Sequence, residues 1–194
     1  MTEKEKMLRG MLYDADDSAL CADRVRAKEL CHAYNQLRPS DAAGMRELLQ
    51  RLLGKTGETF CVTAPFWCDY GYNIRLGEYF YANHNLVILD CAAVTFGEHV
   101  FVAPNCGFYT AGHPIDAECR ERGLEYAYPI TVGDHVWIGG GVQVMPGVTI
   151  GSNVVIGGGS VVVKDIPSDS VAVGNPCRVI RPITEADKQT CWDR

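Results

Sequence analysis

Between Ile130 and Ile166 two interleaved series of aliphatic residues recur every six positions. One runs Ile130, Val136, Val142, Val148 and Val154, is broken at Ser160 and resumes at Ile166; the other runs Val132, Ile138, Val144, Ile150, Ile156 and Val162. Twelve of the thirteen places in the window fit. A period of six is neither the roughly 3.6 of an α-helix nor the plain alternation of one long strand, although it is a multiple of two. Short strands separated by turns satisfy it. Glycine directly follows the second series at Gly133, Gly139, Gly151 and Gly157, which reads as turn-permissive backbone supplied once per repeat.

Such a repeat predicts a mainly β fold, a parallel β-helix. Each hexad forms one flat face of a prism, three hexads close a coil of about 18 residues, and successive coils pair as parallel strands about 4.8 Å apart. The pattern begins upstream with the pairs Ile74/Leu76, Phe80/Ala82 and Leu86/Ile88, then slips by two residues before Val94/Phe96, Val100/Val102 and Cys106/Phe108, so Asp90 to Ala93 must absorb an insertion. Tyr109 to Pro129 has no six-residue spacing and carries Asp116, Glu118, Arg120, Glu121, Arg122 and Glu125, which reads as a loop extruded over 109–129. Loops of this length are often functional. After Ile166-Pro167 the pattern ends, Gly174-Asn175-Pro176 marks a turn, and Thr184 to Asp187 resembles a capping box opening a short terminal helix.

The first 54 residues read differently. Asp23 to Leu37 places Val25, Leu30 and Tyr34 in loose helical spacing, and Pro39-Ser40-Asp41 opens a second helix in which Met45, Leu48, Leu49, Leu52 and Leu53 form one apolar face. Gly54 stands where a left-handed C-terminal cap belongs. Two helices bury too little to stand alone, so 1–54 is expected to be a helical cap over the open end of the coil, with 55–180 the β-helix and 181–194 a C-terminal tail or short helix.

A chain of 194 residues with 47% hydrophobic content can bury a core of its own. Its net charge of -6 argues against a nucleic-acid or anionic-membrane partner, both of which call for a basic face, and favours a small molecule. The start MTEKEKMLRG lacks a following apolar stretch, and no run approaches a membrane span of about 18 residues, so a cytoplasmic protein is expected. Nine cysteines, an odd number without a C-x-x-C pair, disfavour a disulfide framework or zinc ribbon and read mostly as small buried hydrophobes.

The extruded loop opens with Thr110-Ala111-Gly112-His113-Pro114, which places an imidazole where a rigid coil meets the excursion. Histidine, with an ordinary pKa of about 6.5, suits proton abstraction near neutrality, and the proline after it restricts its backbone to extended conformations. Taken alone, His113 reads first as an ordinary loop histidine, since lone histidines are common and a motif without context is weak.

Wider context changes that balance. The chain also contains Cys68-Asp69-Tyr70-Gly71-Tyr72-Asn73-Ile74, Phe80-Tyr81-Ala82-Asn83-His84-Asn85 with Leu89-Asp90, Gly112-His113-Pro114, Trp137-Ile138-Gly139 and Gly174-Asn175-Pro176. The resemblance these motifs carry, over nearly the whole length, is to the maltose and galactoside O-acetyltransferases of the hexapeptide-repeat acyltransferase group. It implies a left-handed parallel β-helix, a homotrimer with active sites between subunits, and acetyl-CoA as co-substrate with no metal required. It further implies that His113 is the general base activating the acceptor hydroxyl, that Asn83 helps to position the site, and that Asp69, Tyr81, Asp90 and Glu125 surround the acceptor. Gly140, Gly158, Val163, Lys164, Arg178 and Arg181 stand at its coenzyme positions, where lysine and arginine suit the nucleotide phosphates. The backbone N–H of Gly140 is the candidate oxyanion donor. Some galactoside-type members have a serine at the place of Asp69 and a second acid at the place of Cys91, so the acceptor preference is expected nearer maltose or glucose.

Each assignment has a plainer alternative. Asp69 and Asp90 suit turns between hexads, the glycines suit hexad corners, and Arg178 and Arg181 suit solvent. A zinc enzyme on the same fold, resembling γ-class carbonic anhydrase, needs three converging histidines, whereas His32, His84, His99, His113 and His135 lack paired ligand spacing. A non-catalytic β-helical assembly subunit, or a hexapeptide acetyltransferase acting on another small acceptor such as serine, a nucleotide sugar or an antibiotic, are the remaining readings. The His113 loop with Asn83 argues against the first, and Asp69-Tyr70-Gly71-Tyr72-Asn73 favours a sugar over the second.

Overall fold

All twelve aliphatic residues of the hexad window point inward, with no more than 4% of any side chain exposed. At about 1.5–3 kcal/mol for each such residue removed from water, this column is the main source of stability in the coil. The computed structural model describes residues 1–189. Its strands stack into three parallel sheets, the faces of a prism. The first sheet takes Ile74–Arg75, Val94–Phe96, Ile130–Val132 and Thr149–Ile150. The second takes Phe60–Val62, Phe80–Ala82, Phe101–Val102, Trp137–Ile138, Val154–Ile156 and Ser170–Val173, with Arg178–Pro182 folding back antiparallel at its end. The third takes Phe66–Cys68, Leu86–Leu89, Gly107–Tyr109, Gln143–Val144 and Val161–Val162. The chain visits the faces in that cyclic order. Trp137 lies beside Val155 and Gln143 beside Val161, eighteen residues on, so the late coils have the expected length.

The early coils are longer. Phe66 lies beside Leu86 and Val87 beside Gly107, twenty residues on. The additional residues all leave the prism at one edge, between the third and first sheets: Asp69 to Asn73 in one coil, Asp90 to Ala93 in the next, and Thr110 to Pro129 in the one after. Ser160, which breaks the hexad series, is fully buried and satisfied, its hydroxyl donating to Gly157 O (2.5 Å) and accepting from Gly174 N–H (2.9 Å).

The turn chemistry differs from the expectation. Gly133, Gly139, Gly151 and Gly157 do not have positive φ; left-handed residues stand two places later, at His135, Gly141, Asn153 and Gly159, and at Tyr79, Asn85, His99 and Asn105 in earlier coils. The glycines of the first group are required by close approach. A Cβ on Gly133 would lie 2.6 Å from Ser152 Oγ, and one on Gly139 would lie 2.6 Å from Gly158 N. The same holds for Gly54. The preceding helix ends by turning extended at Leu53 (φ -84, ψ 147), and a Cβ on Gly54 would come 2.1 Å from Tyr72 O, so no left-handed cap is formed.

Three helices precede the coil: α1 (Glu3–Leu8), α2 (Ser18–Gln36) and α3 (Ala42–Leu52). The second starts five residues before the expected Asp23, because the Asp17 carboxylate caps it by accepting from Ala19 and Leu20 N–H. Its buried face is Leu20, Ala27, Cys31 and Tyr34, whereas Val25 is 59% exposed and belongs to the solvent side. Cys31, Tyr34, Leu49 and Leu52 join the coil core, so α2 and α3 close its end. Among the described cysteines, Cys31, Cys68, Cys91, Cys106 and Cys177 are buried, and all eight are free; Cys191 lies outside the described residues.

The extruded segment is ordered structure rather than a plain loop. Ala111–Gly112 pairs antiparallel with Leu124–Ala127 around the short helix α4 (Ala117–Glu121), and Tyr13–Asp14 from the N-terminus adds a third strand. Met7, Tyr13, Leu20, Tyr70, Cys91, Ala92 and Ala127 form a second, smaller core beneath this sheet. After Pro182 the chain enters α5 (Glu185–Gln189), whose Asp187 carboxylate accepts from Thr184 N–H, one of the two bonds of a capping box; the rest of the expected 181–194 tail lies outside the described residues. Among the described residues no helix is long and apolar enough to cross a membrane.

Candidate active site

The insertions at the edge between the third and first sheets enclose a cavity of about 450 Å³, walled by Asp69, Tyr109, His113, Glu125, Met145 and Pro146 among others. His113 follows the strand Ala111–Gly112, and the antiparallel register of that strand against Leu124–Ala127 sets His113 opposite Glu125. Its Nδ1 lies 3.4 Å from Leu124 O, a carbonyl that can only accept, so the Nδ1–H tautomer suits this contact and Nε2 is the nitrogen turned toward Glu125. Nε2 lies 3.8 Å from Glu125 Oε1, beyond a hydrogen bond yet close enough to stabilise a positive charge on the ring.

Asp69 projects from the turn that follows Phe66–Cys68. Burial holds its carboxyl above the usual carboxylate range, against the Cys91 thiol that donates to its Oδ2 (3.6 Å) and the nearby Arg24 guanidinium. Burial likewise pushes the Cys91 thiol up, so it remains a donor. Arg24 is itself anchored, donating to Tyr70 Oη (2.8 Å) and Ala15 O (2.6 Å).

Asp90 does not line the cavity. It is fully buried, and its carboxylate accepts backbone N–H bonds from Asp69 (3.1 Å), Tyr70 (2.8 Å) and Asn73 (3.3 Å). It is the turn residue that shapes the Asp69 corner. Burial raises its carboxyl to about 7, the N–H groups holding it back from rising further.

The other expected residues lie elsewhere on the prism. Tyr81 is outward-facing in the second sheet, and Asn83 follows it at the edge between the second and third sheets, its Oδ1 accepting from His84 N–H (2.8 Å). Gly140 and Gly158 stack on that same edge, Gly140 O accepting from Gly159 N–H (2.8 Å). The strand Leu86–Leu89 separates this edge from the Asp69 edge by about 10 Å or more at about 3.3 Å per residue. Asn83 therefore does not meet His113 within one chain. Val163 and Lys164 are exposed on the His113 side of the last coil. Arg178 is exposed and donates to its own neighbour Cys177 O (2.8 Å), and Arg181 is held by Asp187 through two bonds of 2.9 and 2.8 Å. Tyr13, Tyr109, Met145 and Pro146 are not legible as site residues, since none belongs to a motif that carries chemistry.

A six-stranded hexad window joined to a helical cap and an imidazole–carboxylate cavity defines the class, a hexapeptide-repeat transferase. Residues 129–164 match the family model "Bacterial transferase hexapeptide (six repeats)", and residues 6–57 match "Maltose acetyltransferase hexapeptide capping motif". A solved maltose O-acetyltransferase from Clostridium difficile 630 is 50% identical, with a TM-score of 0.94 over 95% of this chain and 99% of that one. A galactoside acetyltransferase, solved in complex with coenzyme A, is 44% identical, with a TM-score of 0.94 over 97% of this chain and 94% of that one. A Saccharomyces cerevisiae protein, named only provisionally as an acetyltransferase, is 56% identical over 187 residues, which are 96% of this chain and 95% of that one. The chain belongs to the maltose and galactoside acetyltransferase family, and it is an acetyltransferase.

Proposed function

We propose that the protein moves the acetyl group of acetyl-CoA to a hydroxyl of a sugar, maltose, glucose or a relative of these, by direct transfer with His113 as general base. The observation that carries this reading is the cavity in which His113 Nε2 faces Glu125 while Asp69 forms another wall. A sugar hydroxyl is a poor nucleophile until its proton is taken, whereas the thioester already carries a good leaving group. His113 Nε2 accepts the hydroxyl proton as the oxygen attacks the thioester carbon, the C–S bond breaks, and the departing thiolate takes the proton from the imidazolium. Glu125 stabilises that transient charge, and Asp69 suits bidentate acceptance of neighbouring sugar hydroxyls.

The coenzyme is assigned to Gly140, Gly158, Val163, Lys164, Arg178 and Arg181. Small exposed corners admit a long chain, and the cations meet its phosphates, Arg181 exchanging its Asp187 partner for one of them. Because Asn83 and these glycines occupy one edge and His113 the other, a complete site requires two chains, which is the arrangement of a homotrimer. The second sheet supports it: Tyr81, Phe101 and Trp137 stand side by side there and are 36%, 50% and 55% exposed, an aromatic row suited to burial against a copy. Incubation with acetyl-CoA and a panel of sugars, with thiol release as readout, tests the reading. Release with maltose or glucose above serine, a nucleotide sugar or buffer alone is expected, and equal release in all arms refutes it.

A further inference from the structure

The three-stranded sheet beside the cavity sets three side chains in a row. Tyr13 is the register partner of Glu125 in the central strand, and the pairing of that strand on its other side brings in His113. The Tyr13 hydroxyl donates to Glu125 Oε2 at 2.6 Å, while Glu125 Oε1 faces His113 Nε2 at 3.8 Å. One carboxylate is thus anchored by a phenol through one oxygen and presented to the imidazole through the other.

We propose that Tyr13 is a positioning residue for the acetyl transfer, acting through Glu125 on His113. The inference rests on the reading of His113 as the base.

The packing around Tyr13 separates this role from a filling one. Its ring is 1% exposed among Met7, Leu20, Tyr70, Cys91, Ala92 and Ala127, where a phenylalanine would occupy the same volume. The hydroxyl is therefore the part that packing does not explain. Burial pushes the phenol above its usual range, so it stays a donor wherever the protein is folded, and a bond of this length to a carboxylate is of the charge-assisted kind. The other charged or titratable groups around the row are Asp69, Cys91 and Arg24; the first two repel the Glu125 carboxylate, and the Cys91 thiol is a second polar neighbour of the Tyr13 hydroxyl. Without the phenol, repulsion from Asp69 favours a Glu125 rotamer turned away from the imidazole. The contact spans 112 residues of sequence, so it also couples the N-terminal arm, which lies outside the coil, to the reacting geometry.

Tyr13→Phe removes only the hydroxyl. Steady-state kinetics should show kcat about tenfold lower with the Michaelis constant for acetyl-CoA unchanged, the size expected for losing one hydrogen bond to a charged group. In a double-mutant cycle, Tyr13→Phe should lower kcat no further once Glu125→Gln is present, and should leave the residual rate of His113→Ala untouched. Full activity in Tyr13→Phe, additive losses with Glu125→Gln, or a variant that does not fold overturns the proposal, the last because the hydroxyl would then serve the fold. If His113→Ala retains wild-type turnover, the base assignment fails. If His113→Ala is inactive and Tyr13→Phe is not, only the Tyr13 proposal fails.

Discussion

Replacing Asp90 with alanine should unfold the site edge from beneath, because that carboxyl accepts from three N–H groups of one turn, those of Asp69, Tyr70 and Asn73. Two of its bonds, at 3.1 and 2.8 Å, are of good length, and the third, at 3.3 Å, is long. Alanine leaves those donors without their acceptor in a buried place, at about 1–3 kcal/mol for each well-made bond, so the loss is about 3 kcal/mol. For a chain of this size that is about 6–12 °C in Tm. The size depends on pH, with a definite sign. Asp90 is raised from an ordinary 3.8 to about 7 in the fold, so its proton favours the native state: that contribution is complete below 3.8 and is lost as pH rises through about 7. The gap, at about 1.4 kcal/mol per pH unit, bounds the effect at about 4 kcal/mol. Thermal unfolding at pH 5 and pH 8 is the assay. Wild type should melt lower at pH 8 than at pH 5, and Asp90→Ala should melt well below wild type at pH 5 with a smaller difference between the two pH values. A variant within about 2 °C of wild type at pH 5 refutes the argument that this turn is built on Asp90.

Ser160→Val restores the hexad series yet should cost about 2 kcal/mol, read as a Tm loss, because Gly174 N–H and Gly157 O lose their buried partner. Arg178→Ala should raise the Michaelis constant for acetyl-CoA more than that for the sugar, as a phosphate contact remote from the reacting carbon contributes mainly uniform binding; an unchanged acetyl-CoA constant removes Arg178 from the site. Trp137→Glu places a charge in the aromatic row of the second sheet and should dissociate the proposed trimer in sedimentation, with activity lost in proportion; an active trimer in this variant refutes that interface.

The coil was legible because its signal is redundant: each inward residue from Ile74 to Ile166 sits in a register that a single slip would destroy. The two-residue slip at Asp90 was visible for the same reason. Turn chemistry is less legible, since Gly133 and Gly151 are conspicuous in sequence while the left-handed backbone falls two residues on, at His135 and Asn153, which carry side chains. Close backbone approach between coils leaves no mark on a single strand. The N-terminal arm leaves no signal in the sequence because Tyr13–Asp14 is too short to show any period and pairs with Leu124–Ala127, more than a hundred residues away. His113 was located by motif, but its relation to Glu125 and Tyr13 arises from antiparallel register within a segment that reads only as charged loop. Asp90 and Asp69 look alike in sequence, and burial alone separates a turn-builder from a cavity wall.

The most direct test of the account is the turnover number of His113→Ala with acetyl-CoA and the best sugar of the panel. The side chain is 54% exposed and outside both hydrophobic clusters, so folding should survive its loss. General-base catalysis contributes about 10² to 10⁴ in rate, so kcat should fall by at least about a hundredfold while acetyl-CoA binding, measured by calorimetry, is retained. A folded variant that keeps more than about a tenth of wild-type turnover contradicts the assignment of His113 as the base and with it the proposed mechanism.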